Sequence, residues 1–104
     1  MKQEPSDDEV KEFVRNDAND DDYMLFEIVA GIEGKFRVPR PKAVLLTHKA
    51  ITALLAEGIG ELSFGHWEET PTSVPAAQLP SPDHEHWAYP PPDERFWFYG
   101  GEPG

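Results

Sequence analysis

The chain contains no cysteine, which excludes disulfides and thiolate metal sites and gives no sign of an oxidising compartment. No apolar run approaches the roughly 20 residues that a membrane-spanning helix needs. The opening Met-Lys-Gln-Glu-Pro-Ser-Asp-Asp has no apolar stretch behind it, so no secretory signal is expected and a cytoplasmic location is. Bases are scarce: nine Lys and Arg stand against twenty Asp and Glu, a formal net charge of −11. Beyond Glu57 the only base is Arg95. At 104 residues there is room for one core, so a single domain over 1–104 is expected, with residues 1–5 as a flexible tail. Folding at this length buries about two-thirds of the surface of the unfolded chain, enough for a modest core without staples.

The charge that is present is unevenly placed. Residues 4–27 hold ten of the acids and only two bases, Lys11 and Arg15. Residues 35–49 then carry Lys35, Arg37, Arg40, Lys42 and Lys49 with no acid among them. Eight of the eleven prolines fall between Pro71 and Pro103, and no internal repeat is visible.

Ser6-Asp7-Asp8-Glu9 has the spacing of a capping box, and its acids suit the positive end of a helix dipole. Val10, Phe13 and Val14 follow at helical spacing and predict a short helix over 7–15. The Asp20-Asp21-Asp22 run predicts the start of a second helix that continues through Ala30. Its nearly all-round apolarity places it mid-core, and Gly31 and Gly34 are expected to stop it. Alternation of Phe36 and Val38 with Lys35 and Arg37 predicts a short strand over 35–38. Pro41 near the start and Gly58 past the end bracket a third, longest helix over 41–57. On these faces Phe26, Val29, Ile51 and Leu55 are expected to be deeply buried.

Leu62, Phe64 and His66 alternate with Glu61, Ser63 and Gly65, the pattern of a strand, and 95–99 reads as a second strand with aromatics on both faces. Between them, 67–94 reads as a long Pro-rich loop. Trp67, Trp87 and Tyr89 are expected to pin it down, and Ala76-Ala77-Gln78-Leu79 to form one helical turn.

This order of elements resembles small winged-helix-like proteins. The carrying residues are the apolar helix from Tyr23 to Ala30, the helix ending in Leu54-Leu55-Ala56-Glu57-Gly58, a tryptophan loop and a closing aromatic strand. The resemblance implies an α+β, winged-helix-like fold with two short-to-medium N-terminal helices, one long helix and a C-terminal two- or three-stranded antiparallel ribbon. There is one departure, because a standard winged helix has two helices between its first and second strands and 39–58 accommodates one. Fold resemblance does not transfer function.

Candidate chemistry is sparse. Asp83-His84-Glu85-His86, with His66 on a strand, offers zinc-type ligands but no spacing that nominates a fourth, so no metal is expected. The acids of 17–22 lack the ligand spacing of a calcium loop. His48 is expected to be a buried, hydrogen-bonded histidine. No serine sits in a nucleophile motif and no glycine loop could cradle phosphate, so neither catalytic residues nor cofactors are expected. The first expectation for function is therefore a non-enzymatic, acidic protein-binding module of inhibitor, antitoxin or immunity type. It would draw a basic protein through Asp20, Asp21 and Asp22 and hold it through an exposed Trp97 or Tyr99. The alternative is a winged-helix transcription regulator whose Arg37, Arg40, Lys42 and Lys49 meet phosphates. With +5 on that strip and −11 overall, the rest of the chain carries −16 and opposes approach to nucleic acid.

Overall fold

The computed structural model describes residues 5–17, 23–66, 68–88 and 92–100. They form an α+β arrangement of three helices and a four-stranded antiparallel sheet. Helix α1 (Asp7–Asp17) starts as its sequence predicts. The Glu9 amide donates to Ser6 Oγ at 3.1 Å and the Ser6 amide to Glu9 Oε1 at 3.3 Å, which closes the capping box. Val10 and Val14 are its buried face.

The next segment differs from expectation. Tyr23 and Met24 are not helical but form strand β1 (Tyr23–Met24), and helix α2 (Leu25–Phe36) begins only after it. The cause is tertiary, since Tyr23 and Met24 pair with Phe98 and Trp97 on β4 (Glu94–Tyr99). The Met24 amide donates to Glu27 Oε1 at 3.0 Å at the new helix start. At its other end α2 runs through Gly31 and Gly34, so neither stops it and the strand expected over 35–38 is absent. The stop is Arg37, left-handed at φ 55° and ψ 48°, with Val38-Pro39 following, a pair that disfavours further helix. Phe36 holds the last turn against the Phe13 ring, edge-on at 5.7 Å between centroids.

Helix α3 (Arg40–Ala56) matches its predicted bounds closely. Its end is a Schellman motif: the Gly58 amide donates to the Leu55 carbonyl and the Ile59 amide to the Leu54 carbonyl, with Gly58 at φ 74°. The inward stripe runs through Ala43, Thr47, Ala50 and Leu54 with Val44 and Ile51 beside it. That is one position off the face expected, so Leu55 is only half-buried although Ile51 is fully buried; on α2, Val29 is fully buried and Phe26 half-buried. Buried Thr47 satisfies its hydroxyl on the Ala43 carbonyl at 2.7 Å.

Strands β2 (Glu61–His66), β3 (Thr72–Val74) and β4 complete the sheet in the order β1-β4-β2-β3. Two helices, α2 and α3, thus lie between β1 and β2. The expected 67–94 loop is interrupted by β3 and by 3-10 turns at Ala76–Gln78 and Glu85–Trp87. Trp87 is the anchor among them: its side chain is 2% exposed and its Nε1 donates to the Pro80 carbonyl at 3.3 Å. Trp67 and Tyr89 lie outside the described residues. Among the described residues no helix is long and apolar enough to cross a membrane.

Candidate functional site

Alternation along β4 sorts its aromatic residues onto two faces. Phe98 is fully buried among the helices, and Phe96 lies beside Phe64 at 4.7 Å on the same face. Trp97 and Tyr99 occupy the opposite face and are half-buried. Beside Trp97 are Ser63 and Met24 by register, and Arg95 Nη1 contacts Met24 Sδ at 3.1 Å. The Trp97 indole nitrogen is buried and has no hydrogen-bond partner among the described residues. Trp97 is therefore packed along one edge, and Tyr99, equally half-buried, is the other predicted anchor. Asp20, Asp21 and Asp22 lie outside the described residues.

Tyr99 lines a cleft of about 670 Å³ between α1, the end of α3 and the end of β4. Its floor includes Leu54 and Ile59, and Asp8, Glu12 and Glu57 contribute carboxylates. Lys11 and Arg15 are its bases. Lys11 Nζ meets Glu57 Oε2 at 2.7 Å, and that carboxylate holds the ammonium above its ordinary pKa. Two glycines fix the strand end that carries Tyr99. A Cβ on Gly60 would lie 2.6 Å from the Tyr99 carbonyl oxygen, and one on Gly100 would lie 3.0 Å from the Arg15 carbonyl oxygen. The approach at Gly60, with its left-handed φ of 83°, excludes a side chain there, and the one at Gly100 leaves a Cβ only a tight fit.

A second cleft, of about 430 Å³, flanks the other side of α1 and is lined by Glu9, Glu12, Phe13, Asn16, Asp17, Lys35 and Phe36. Glu12 and Asn16 line both clefts, so the outer ridge of α1 separates them. Sequence reasoning missed both, because they depend on how α1 sits against α2, α3 and β4. The only local signal was Asp17, a carboxylate at the negative end of a helix dipole.

The basic strip is largely engaged within the molecule. Arg40 Nη2 pairs with Glu33 Oε1 of α2 at 2.9 Å, and its Nη1 lies 3.4 Å from the Trp87 carbonyl. Lys49 Nζ pairs with Asp7 Oδ2 of α1 at 2.8 Å. Arg37 is exposed at the α2 cap and Lys42 is half-buried on α3. The four residues do not form one continuous basic surface along a free helix, since α3 is packed by both neighbouring helices.

The histidine segment makes ring contacts. His84 and His86 stack at 4.5 Å with planes 4° apart, and His86 sits edge-on to Phe96 at 5.0 Å. Burial lowers the His86 pKa, the neighbouring His84 acts the same way, and Glu85 opposes. The Ser81 hydroxyl donates to Asp83 at 2.6 Å and lowers the carboxyl pKa. His66 Nδ1 accepts from the Glu68 amide at 3.2 Å. Among the described residues no group of three or more His, Asp or Glu could hold a metal ion. His48 differs from expectation: it is half-buried, its ring meets Trp87 edge-on at 5.9 Å, and burial lowers its pKa.

No family model, no characterised protein and no solved structure matches this chain.

Proposed function

We propose that this protein is a non-enzymatic, acidic binding module that docks a basic protein partner, as small inhibitors, antitoxins and immunity-type proteins do, along the α1 ridge and the Tyr99 cleft. The observation that carries this reading is how the bases are used. Arg40, Lys49 and Lys11 are each paired with an acid of the same chain, so the excess charge that an approaching molecule meets is negative. A field of that sign accelerates encounter with a basic surface, and an aromatic anchor such as Tyr99 supplies residence time.

A second reading draws on the order of elements. With β1 joined to β4, two helices precede β2, as in a winged helix, and this supports a winged-helix-like description of the fold. DNA binding by α3 would then be the analogy. It is disfavoured because the candidate phosphate contacts Arg40 and Lys49 are engaged with Glu33 and Asp7, and because the chain carries −11 overall.

The full chain, used as bait in host lysate at low ionic strength, should retain a small basic protein. With that partner in hand, Asp8→Asn combined with Glu12→Gln should slow association and flatten its salt dependence, whereas Tyr99→Ala should speed dissociation. Retardation of generic DNA at low salt, fading steeply as salt rises, would replace this reading with the second.

A further inference from the structure

We propose that the cleft between the C-terminal halves of α1 and α2 is a socket for a single basic side chain, arginine or lysine, of the protein partner. This rests on the reading of the module as a binder of basic proteins and names the chemistry of one contact. The floor is aromatic: Phe13 and Phe36 are half-buried and meet edge to face at 5.7 Å. The rim carries three carboxylates, Glu9, Glu12 and Asp17, against one ammonium, Lys35. A cation on a hydrocarbon stem fits this combination, with its methylenes on the rings, its charge near a ring face and its donors on the carboxylates. A bare metal ion does not, since it gains nothing from the rings.

Charge complementarity here goes beyond a count of acids. Glu12 and Asp17 make no hydrogen bond or ion pair among the described residues. Asp17 is also the last residue of α1, where the helix dipole disfavours a carboxylate, so local stability does not explain it. A Cβ built on Gly31 would lie 3.4 Å from Phe13 Cε1 and 3.5 Å from Asp17 Oδ2, so ring and carboxylate converge on one point above α2. Gly31 is not a helix stop, and a glycine inside a helix is disfavoured.

The test uses the full, isotope-labelled chain and an acetylated hexa-arginine amide as probe, followed by amide chemical shifts at low salt. The largest changes should fall on residues 9–17 and 31–36. Phe13→Leu should weaken binding by about fivefold, the size of one exposed cation–π contact. Asp17→Asn should weaken binding by about threefold, as for loss of an exposed ion pair, while raising the thermal midpoint of the free protein, because the dipole-opposed charge is gone. That pairing of weaker binding with higher stability is not expected of a merely structural residue. Because Asp17 is exposed, the second variant keeps the test sound if Phe13→Leu folds poorly. Shifts spread evenly over all acids, or unchanged affinity in Asp17→Asn, would overturn the socket. Binding centred on the Tyr99 cleft and indifferent to Phe13→Leu would overturn the socket and leave the module reading intact. Absence of saturable binding to hexa-arginine, together with no basic protein captured from lysate, would remove both.

Discussion

The same chemical change at two glycines should move stability in opposite directions. Gly60 has φ +83°, and a Cβ there would stand 2.6 Å from the Tyr99 carbonyl oxygen and 2.8 Å from Phe98 Cζ. The left-handed backbone alone costs an alanine about 1–2 kcal/mol. The carbonyl belongs to the strand paired with β2 and the Phe98 ring is fully buried, so neither moves freely, and overpacking adds about 1–3 kcal/mol. Gly60→Ala should therefore destabilise by about 2–5 kcal/mol. Gly34 lies inside α2, is exposed, and a Cβ there meets nothing within 4 Å. Gly34→Ala should stabilise by about 0.5–1 kcal/mol, from helix propensity and the smaller entropy of the unfolded chain. Urea denaturation of the two variants reads the gap directly, since a difference of about 3 kcal/mol separates midpoints by about 1 M or more at the slopes typical of small domains. Equal midpoints, or a Gly60→Ala variant at least as stable as wild type, would refute the placement of the β2 start against β4.

Three further outcomes are expected. Leu54→Ala should cost about 2–5 kcal/mol, and Leu55→Ala clearly less by the same denaturation assay, because Leu54 is 1% exposed and Leu55 only half-buried. Burial, then the neighbouring His84, lower the His86 pKa, so the unfolded chain binds more protons than the folded one; this stability is complete above about pH 6.5 and is lost as pH falls further. His86→Phe, which keeps a ring against Phe64 and Phe96, should flatten that pH dependence of the urea midpoint. Trp97→Phe should stay within about 1 kcal/mol of wild type, because it removes a buried indole donor that has no partner among the described residues, offsetting lost packing.

What could be read from the sequence was what local chemistry decides. Ser6 and Glu9 announced the start of α1, Pro41 and Gly58 bracketed α3, and alternation located β2 and β4. The failures share one cause, pairing partners distant in the chain. Tyr23 and Met24 carry a helical pattern but are claimed by Phe98 and Trp97. Gly31 and Gly34 look like stops, yet α2 continues until Phe36 reaches Phe13. β3 is short and polar, with Thr72 and Ser73 exposed, so its only signature is its register against β2. At the site, Tyr99 was legible as an aromatic on a strand, but Phe13 and Phe36 read as two unrelated core residues until α1 and α2 were set side by side.

The ion pairs of this molecule matter more for its field than for its fold. Lys49–Asp7, Arg40–Glu33 and Lys11–Glu57 each join elements that already share buried apolar surface, and all three are partly or largely exposed. Such pairs contribute about 0–1 kcal/mol apiece, less than one buried leucine of the core. Each pair cancels one base and one acid and leaves the net charge of the chain at −11, while Glu12 and Asp17 on the α1 ridge make no ion pair among the described residues. Salt therefore separates the two roles. Screening at moderate ionic strength should scarcely change the urea midpoint, because the core is apolar, yet it should sharply slow association with any basic partner, because steering acts over a Debye length of about 8–10 Å. A stability that fell with salt as steeply as the association rate would mean that the bridges hold the helices together, and the acidic ridge would then lose its special standing.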